Sequence, residues 1–292
     1  MLDYAALSVL AAVISEGTFE RAAAVLHISP SAVSQRVRAL EERLGSVLVI
    51  RSQPCKPTEM GRKLCAHFDQ VRLLEADLGA ELHAPEVDTI TLKIAVNSDS
   101  LASWLVPALV DFTQRSGLLV ELLVDDEGHT VERLRSGEVV AAITSDGTQV
   151  QGCRTTRLGD LRYLACASPA FVTTHFAEGV DTEGLLTAPY MRFDRRDDLQ
   201  ARWALAHIGA QPGKVAHWIP STWAFLDLAI AGVGWGMHPQ FLARPHIDTG
   251  ALTELKPDTP IDVTLYWTQT RLHSAALRQL TDAVRRAAQH LL

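Results

Sequence analysis

Two apolar periodicities lie on either side of His27, Ile28 and Ser29, and that three-residue spacing constrains the chain more than any other feature. After it, Val33, Val37, Leu40 and Leu44 recur at helical steps, giving the stripe expected to face a core. Ser29 offers an N-cap hydroxyl, and Pro30 stands at the first helical position, where its missing N–H is harmless. Gly45 can close the helix in the left-handed region. Before the spacing, Thr18 caps a short helix whose Ala22, Ala23 and Leu26 permit close packing. An earlier helix carries Leu7, Leu10, Ala11 and Ile14 and stops at Gly17. A connection this short is the length found in helix-turn-helix units.

The stretch "SVLVIRSQPCKPTEMG" adds a short apolar run, a proline-bracketed loop and a new cap at Thr58, which together read as a small β-wing. A winged helix-turn-helix sends the leading end of its third helix into the DNA major groove. That end carries Ser29, Pro30, Ser31, Ser34, Gln35 and Arg38, and Arg51 sits at the base of the wing. Hydroxyls and amides can bond base edges or phosphates, and arginine suits guanine or phosphate oxygens. For a lone helix a solvated face would explain the same residues. The neighbouring helices and the wing favour DNA.

From Thr58 to His83 the chain has no proline, and Met60, Leu64, Phe68, Val71, Leu74, Leu78 and Leu82 form a near-heptad stripe. A long helix between two compact units has little of its own chain to pack against, so Phe68, Val71, Leu74 and Leu78 are expected at a dimer seam. The segment "HAPEVD" links it to the remainder. There, "TLKIAV", "LLVELLV" and "VVAAIT" read as strands, the last two as buried parallel ones, with helices at 100–115 and 130–136 between them. A second set follows at "LRYLACA", "PYMRF", "VAHWI", "GVGWGM" and "VTLYWT". The fold class is α/β, with domains expected at 1–58 (winged helix-turn-helix), 59–87 (linker helix and hinge) and 88–292 (two α/β subdomains).

Ligands of open parallel sheets sit at the carboxyl ends of strands. Those ends offer Asn97, Ser98, Asp99 and Ser100, then the acidic run Asp125 to Glu127 with Asp126 favoured, then Thr144 and Ser145. The first group precedes a helix and can hold a carboxylate, and the acidic residues suit an ammonium or guanidinium. From the second set come Asp194, Ser221, Thr222 and Trp223, the last able to lie along an aliphatic stem. Each has a plainer alternative. Asp99, Ser100, Ser221 and Thr222 can be helix caps, the acidic run a solvated turn, Asp194 an arginine partner within "DRRDD", and Trp223 core.

The segment "FERAAAVLHISPSAVSQRVRALEERLGSVLVIRSQPCKPTEMG" resembles the DNA-binding domain of LysR-type transcriptional regulators. "LKIAVNSDSLASWLVPAL", "RLRSGEVVAAI" and "IPSTWAFLDLAIAGVGWGMHP" are similar to the branch of that family regulating arginine and lysine export, and the likeness covers essentially the whole chain. The resemblance implies linker helices that pair into dimers, and a two-subdomain effector domain like that of periplasmic binding proteins. It also implies a lysine or arginine effector and control of a basic-amino-acid exporter gene. Expected partners are double-stranded promoter DNA, a small-molecule effector, a second copy in a homodimer or homotetramer, and RNA polymerase.

Charge agrees in direction. Residues 1–65 sum to +2 and the rest to −9, a basic head on an acidic body. Cys55, Cys65, Cys153 and Cys166 show no metal-type spacing, so neither a metal nor a cofactor is expected. The start lacks a basic signal region, and no apolar run nears the ~18 residues of a membrane helix. The expectation is a cytoplasmic protein that does not engage a membrane. Enzyme motifs are missing: "GVGWG" is not a dinucleotide turn, and there is no G-x-S-x-G or H-E-x-x-H. Two alternatives are a solute-binding-type sensor of another metabolite and an enzyme with an accessory DNA-binding head.

Overall fold

The computed structural model describes residues 2–82, 90–124 and 127–291. α1 (Tyr4–Glu16) begins where Asp3 accepts from the Ala6 amide at 3.1 Å. α2 (Phe19–Val25) begins on Thr18, which accepts from the Arg21 amide at 3.1 Å. α3 (Pro30–Leu44) begins on Ser29, which accepts from the Ala32 amide at 3.2 Å, and closes on Gly45 at φ 65°. Leu7, Leu10, Val13, Ala22, Ala23, Val33, Val37 and Leu40 form one core. Leu44, expected as the fourth member of the α3 stripe, is exposed instead, since the last α3 residue in the head's core is Leu40, one turn earlier.

β1 (Val49–Ile50) and β2 (Lys56–Pro57) pair antiparallel as the wing. Glu41 fixes its entry by accepting from the Leu48 and Val49 amides at 2.7 and 3.3 Å. α4 (Glu59–Glu81) follows Thr58, whose hydroxyl accepts from the Gly61 amide at 3.1 Å. Glycine is required at 61, since a Cβ there would lie 2.2 Å from the Leu48 carbonyl oxygen.

The expectation that α4 finds little of its own chain is corrected. Leu64 and Phe68 pack into the head, so Phe68 is not a free seam residue. Leu73, which the heptad stripe does not include, is 3% exposed within the core of the body. Asp69 lies 3.5 Å from Lys93, and Asp77 accepts from the Ala275 amide at 2.6 Å. What remains outward on the stripe is Met60, Leu74, Leu78 and Leu82, with Val71 half-buried. The "HAPEVD" linker lies outside the described residues.

The body opens with β3 (Thr91–Val96), α5 (Ser98–Ala102), α6 (Leu105–Ser116), β4 (Leu119–Val124), α7 (Glu127–Ser136) and β5 (Ala141–Thr144). β3 lies between β4 and β5 and is parallel to both, as a βαβαβ unit requires. β5 is buried along its length, but β4 is not. It is the sheet's edge, with Leu119 and Val124 exposed, so its apolar run is no sign of a doubly covered strand.

The remainder is β6 (Cys153–Ala167), α8 (Pro169–His175), α9 (Thr182–Thr187), β7 (Tyr190–Arg192), α10 (Leu199–His207), β8 (Ala216–Trp218), α11 (Thr222–Ile230), β9 (Gly236–Pro239), α12 (Gln240–Asp248), β10 (Thr253–Glu254), β11 (Ile261–Thr270) and α13 (Ala275–Leu291). This second set is not a separate parallel sheet. β6 runs 15 residues, far beyond the seven expected, and pairs antiparallel with β11 from Cys153–Thr270 to Tyr163–Ile261. β11 also pairs β5, and the far end of β6 pairs β9, so one mixed sheet spans both subdomains. β7 and β8 add a small parallel pair. α13 returns to α6, where Arg286 lies 2.6 Å from Asp111. No described helix is long and apolar enough to cross a membrane.

Candidate functional site

The structure offers two places of interest, the leading face of α3 and the seam between the subdomains. On α3, Ser31, Gln35 and Arg38 are exposed opposite Val33 and Val37, while Ser34 is half-buried. Ser29 Oγ lies 2.9 Å from Ser31 Oγ and also caps the helix, so it has two tasks already. Pro30 is exposed at the helix tip. Arg38 Nε lies 2.9 Å from Glu42, both side chains being well exposed, a pairing that costs little to exchange for a phosphate. Arg51 stacks over Phe19, its guanidinium carbon 5.0 Å from the ring centroid. The wing cation is thereby aimed from the same side of the head that carries α2.

At the seam, a cavity of about 230 Å³ lies between the start of α5 and the start of α11. Asn97 caps α5 by accepting from the Ser100 amide at 2.9 Å. Asp99 then reaches across the fold. Its Oδ1 accepts from the Thr222 hydroxyl and its Oδ2 from the Tyr163 hydroxyl, both at 2.6 Å. Ser98 Oγ is 2.9 Å from Thr222 Oγ1. One helix start from each subdomain and one long strand therefore converge on a single carboxylate.

The electrostatics follow from that enclosure. Burial pushes the Asp99 carboxyl above the ordinary carboxylate range, and the hydrogen bonds from Thr222 and Tyr163 oppose the shift. His238, on β9, is 2% exposed and its Nε2 has no hydrogen-bond partner among the described residues. Burial, helped by the nearby His246, lowers its pKa to about 3, so the ring is neutral. The loop after β7 forms another wall with Phe193, Asp194, Arg196 and Asp197. Asp194 accepts from the amides of Arg196 and Asp197 at 2.7 and 2.9 Å, and Asp197 accepts from the Phe193 amide at 2.8 Å. Arg202 sits 3.8 Å from Asp198 at the rim. Phe225, Leu226, Met237, Leu242 and Val263 supply the apolar lining.

Of the residues singled out from sequence, Asn97, Ser98, Asp99, Ser145, Asp194 and Thr222 line this one cavity. Four others do not. Ser100 is fully buried and accepts from the Trp104 indole at 3.1 Å, which makes it a core group. Thr144 is also buried, its hydroxyl accepting from the Asp146 amide at 3.0 Å as a turn cap. Ser221 is the exposed N-cap of α11, and Trp223 beside it points outward at 56% exposure. Helical geometry explains that split: Thr222 faces in, so its immediate neighbours face out. Asp126 lies outside the described residues. Sequence reasoning missed Tyr163, Phe193, Asp197, Phe225 and His238. His238 ends the apolar run of β9, and the strand-end rule applied there would have found it.

Among the described residues no group of three His, Cys, Asp or Glu could hold a metal ion. All four cysteines are free, and burial raises the Cys65 thiol to about 12 and the Cys166 thiol further still. Such thiols are poor nucleophiles.

Residues 4–62 match the bacterial regulatory helix-turn-helix protein of the lysR family, and residues 86–289 match the LysR substrate binding domain. The chain is 44% identical to the HTH-type transcriptional regulator ArgP of Pseudomonas fluorescens strain Pf0-1, covering 100% of this chain and 99% of that one. Among solved structures it resembles ArgP from Mycobacterium tuberculosis, with TM-score 0.84 and 37% identity over 100% and 99% of the two chains. It also resembles full-length LysG from Corynebacterium glutamicum with bound effector Arg, at TM-score 0.73 and 37% identity over the same shares.

Proposed function

The chain belongs to the LysR family of bacterial transcriptional regulators, and from that premise we propose that the cavity at Asp99 takes lysine or arginine. It is a DNA-binding, effector-responsive regulator, and the relatives it matches end to end are regulators rather than enzymes. In the proposed reading, effector binding at the seam alters how a homodimer or higher oligomer engages its promoter, and the controlled gene encodes a basic-amino-acid exporter.

One observation carries the effector reading: a buried carboxylate, Asp99, sits where both subdomains meet, held among the described residues by the hydroxyls of Thr222 and Tyr163. A hydroxyl is a weaker partner than a cation for a desolvated carboxylate, so an incoming ammonium or guanidinium finds a site already shaped for it. The Asp194 loop and the apolar lining complete a pocket for a charged head on an aliphatic stem. The arginine bound by a full-length relative of the same architecture supports the same class.

In the proposed reading the exposed Ser31, Gln35 and Arg38 of the head meet base edges and phosphates, and Arg51 meets the flanking backbone. The effector reading is tested by a thermal-shift screen of the full-length chain against the common amino acids. A true effector at about 100 times its Kd adds roughly 2.7 kcal/mol of stability. Stabilisation by lysine and arginine above all others is expected. An equal shift with every amino acid, or with none, removes the reading.

A further inference from the structure

Among the described residues, the cationic side chains in the cavity wall are Arg196 and Arg202. Arg202 stands on α10, one turn after Asp198 at the start of that helix. Asp198 occupies the N-cap position, yet its side chain makes no capping bond, and Asp197 takes the Leu199 amide instead at 3.1 Å. Arg202 Nη1 lies 3.8 Å from Asp198 Oδ1, too far for a hydrogen bond, and the two side chains are 48% and 66% exposed. So loose and wet an ion pair is weak, and either member changes partner at little cost.

The Asp99 end of the cavity has the opposite character. Asn97 already takes the Ser100 amide, and Ser98 Oγ is beside Thr222 Oγ1. An effector carboxylate at the start of α5, where the sequence suggested one, would also meet the like charge of Asp99. The carboxylate therefore belongs elsewhere, and Arg202 is the wall's loosely paired cation.

We propose that Arg202 takes the α-carboxylate of the effector and Asp198 its α-ammonium, which leaves the side-chain cation to Asp99. The inference rests on the basic-amino-acid reading and deepens it by giving each end of the effector its own partner. An α-amino acid carries opposite charges on one carbon, and Asp198 and Arg202 present opposite charges on adjacent turns of one helix face. A guanidinium fork holds a carboxylate by two parallel bonds, a better contact than the 3.8 Å pairing it gives up. The methylenes are left to the apolar lining of Phe225, Leu226 and Met237.

Cadaverine is lysine without the carboxylate, and ε-aminocaproate is lysine without the α-amino group. Calorimetric titration of all three into the full-length chain and its variants makes two double-mutant cycles. Arg202→Gln should weaken lysine by about tenfold or more and cadaverine by less than about twofold. Asp198→Asn should weaken lysine in the same way and spare ε-aminocaproate. Both side chains are exposed, so neither change threatens the fold. Lysine affinity unchanged within about twofold in either variant overturns the assignment of that residue, as does an equal loss for lysine and its truncated analogue. Where an analogue binds too weakly to titrate, the charge-retaining Arg202→Lys and Asp198→Glu decide. Lysine affinity recovered in part is expected, and no recovery overturns the assignment. These failures leave a lysine-binding cleft intact. A wild-type chain that binds lysine and arginine no better than norleucine overturns the basic-amino-acid reading, and this inference with it.

Discussion

Asp99 and His238 are both buried ionisable groups on one cavity, and burial moves them in opposite directions on the pH scale. Each is pushed towards its neutral form. For His238 the folded-state pKa lies near 3, below the ordinary 6.5, so the native chain refuses a proton that the unfolded chain accepts. Its contribution to stability is therefore present above about pH 6.5 and is lost progressively as pH falls towards about 3. Replacing it with Gln removes that dependence. In denaturant unfolding, His238→Gln is expected to lose less stability than wild type between about pH 7 and about pH 5. An equal loss in both proteins would show that His238 takes up its proton freely in the fold. Asp99 was legible in the sequence because it follows a strand and opens a helix. The isolation of His238 was not, since it depends on β6 running eight residues past Gly159 and pairing with β9. Trp223 misled for a simpler reason: adjacent helical residues point apart, and only Thr222 could face the seam.

α4 carries two apolar surfaces, and the near-heptad stripe is divided between them. Leu64, Phe68 and Leu73 are consumed by the chain's own two cores, whereas Leu74, Leu78 and Leu82 are 42%, 55% and 69% exposed. Periodicity alone found the outward stripe and missed Leu73, because the body that covers it begins beyond the linker. The two surfaces predict different failures. Leu73→Ala should destabilise the chain by roughly 2–5 kcal/mol in denaturant unfolding. Leu78→Asp should leave the fold intact but place a charge on the proposed seam, so sedimentation should show dimers lost. Unchanged dimers in Leu78→Asp would remove the paired-helix account. α3 allows a similar contrast. If Gln35 reads a base, Gln35→Ala should relax sequence preference at a cost of roughly 1–3 kcal/mol at the native promoter. Arg51→Ala should weaken all sequences alike and flatten the salt dependence. Normal gel-shift titrations for both variants would move the DNA interface elsewhere.

At the scale of the whole molecule, the chain has a small core in its head and a larger main one in its body, with α4 packed into both. The head's surplus of +2 and the body's −9 divide the charge along the same line. That division, the helix-turn-helix spacing and the opening β3–β4–β5 unit were all readable from residue order, because each depends on neighbours within a few tens of residues. The joining of the subdomains was not. It rests on β6 and β11 pairing across about a hundred residues of sequence, from Cys153–Thr270 to Tyr163–Ile261, which no local pattern announces. Tyr163 reaches Asp99 only because of that ribbon. The central claim is that the carboxylate so placed receives a basic amino acid. Calorimetric titration of arginine, lysine and leucine into the full-length chain and its Asp99→Asn variant tests it most directly. Arginine and lysine should bind wild type well above leucine, and Asp99→Asn should weaken them by about 2–5 kcal/mol, or orders of magnitude in Kd. Leucine binding as tightly as arginine, or an arginine isotherm unaltered in Asp99→Asn, would contradict the account.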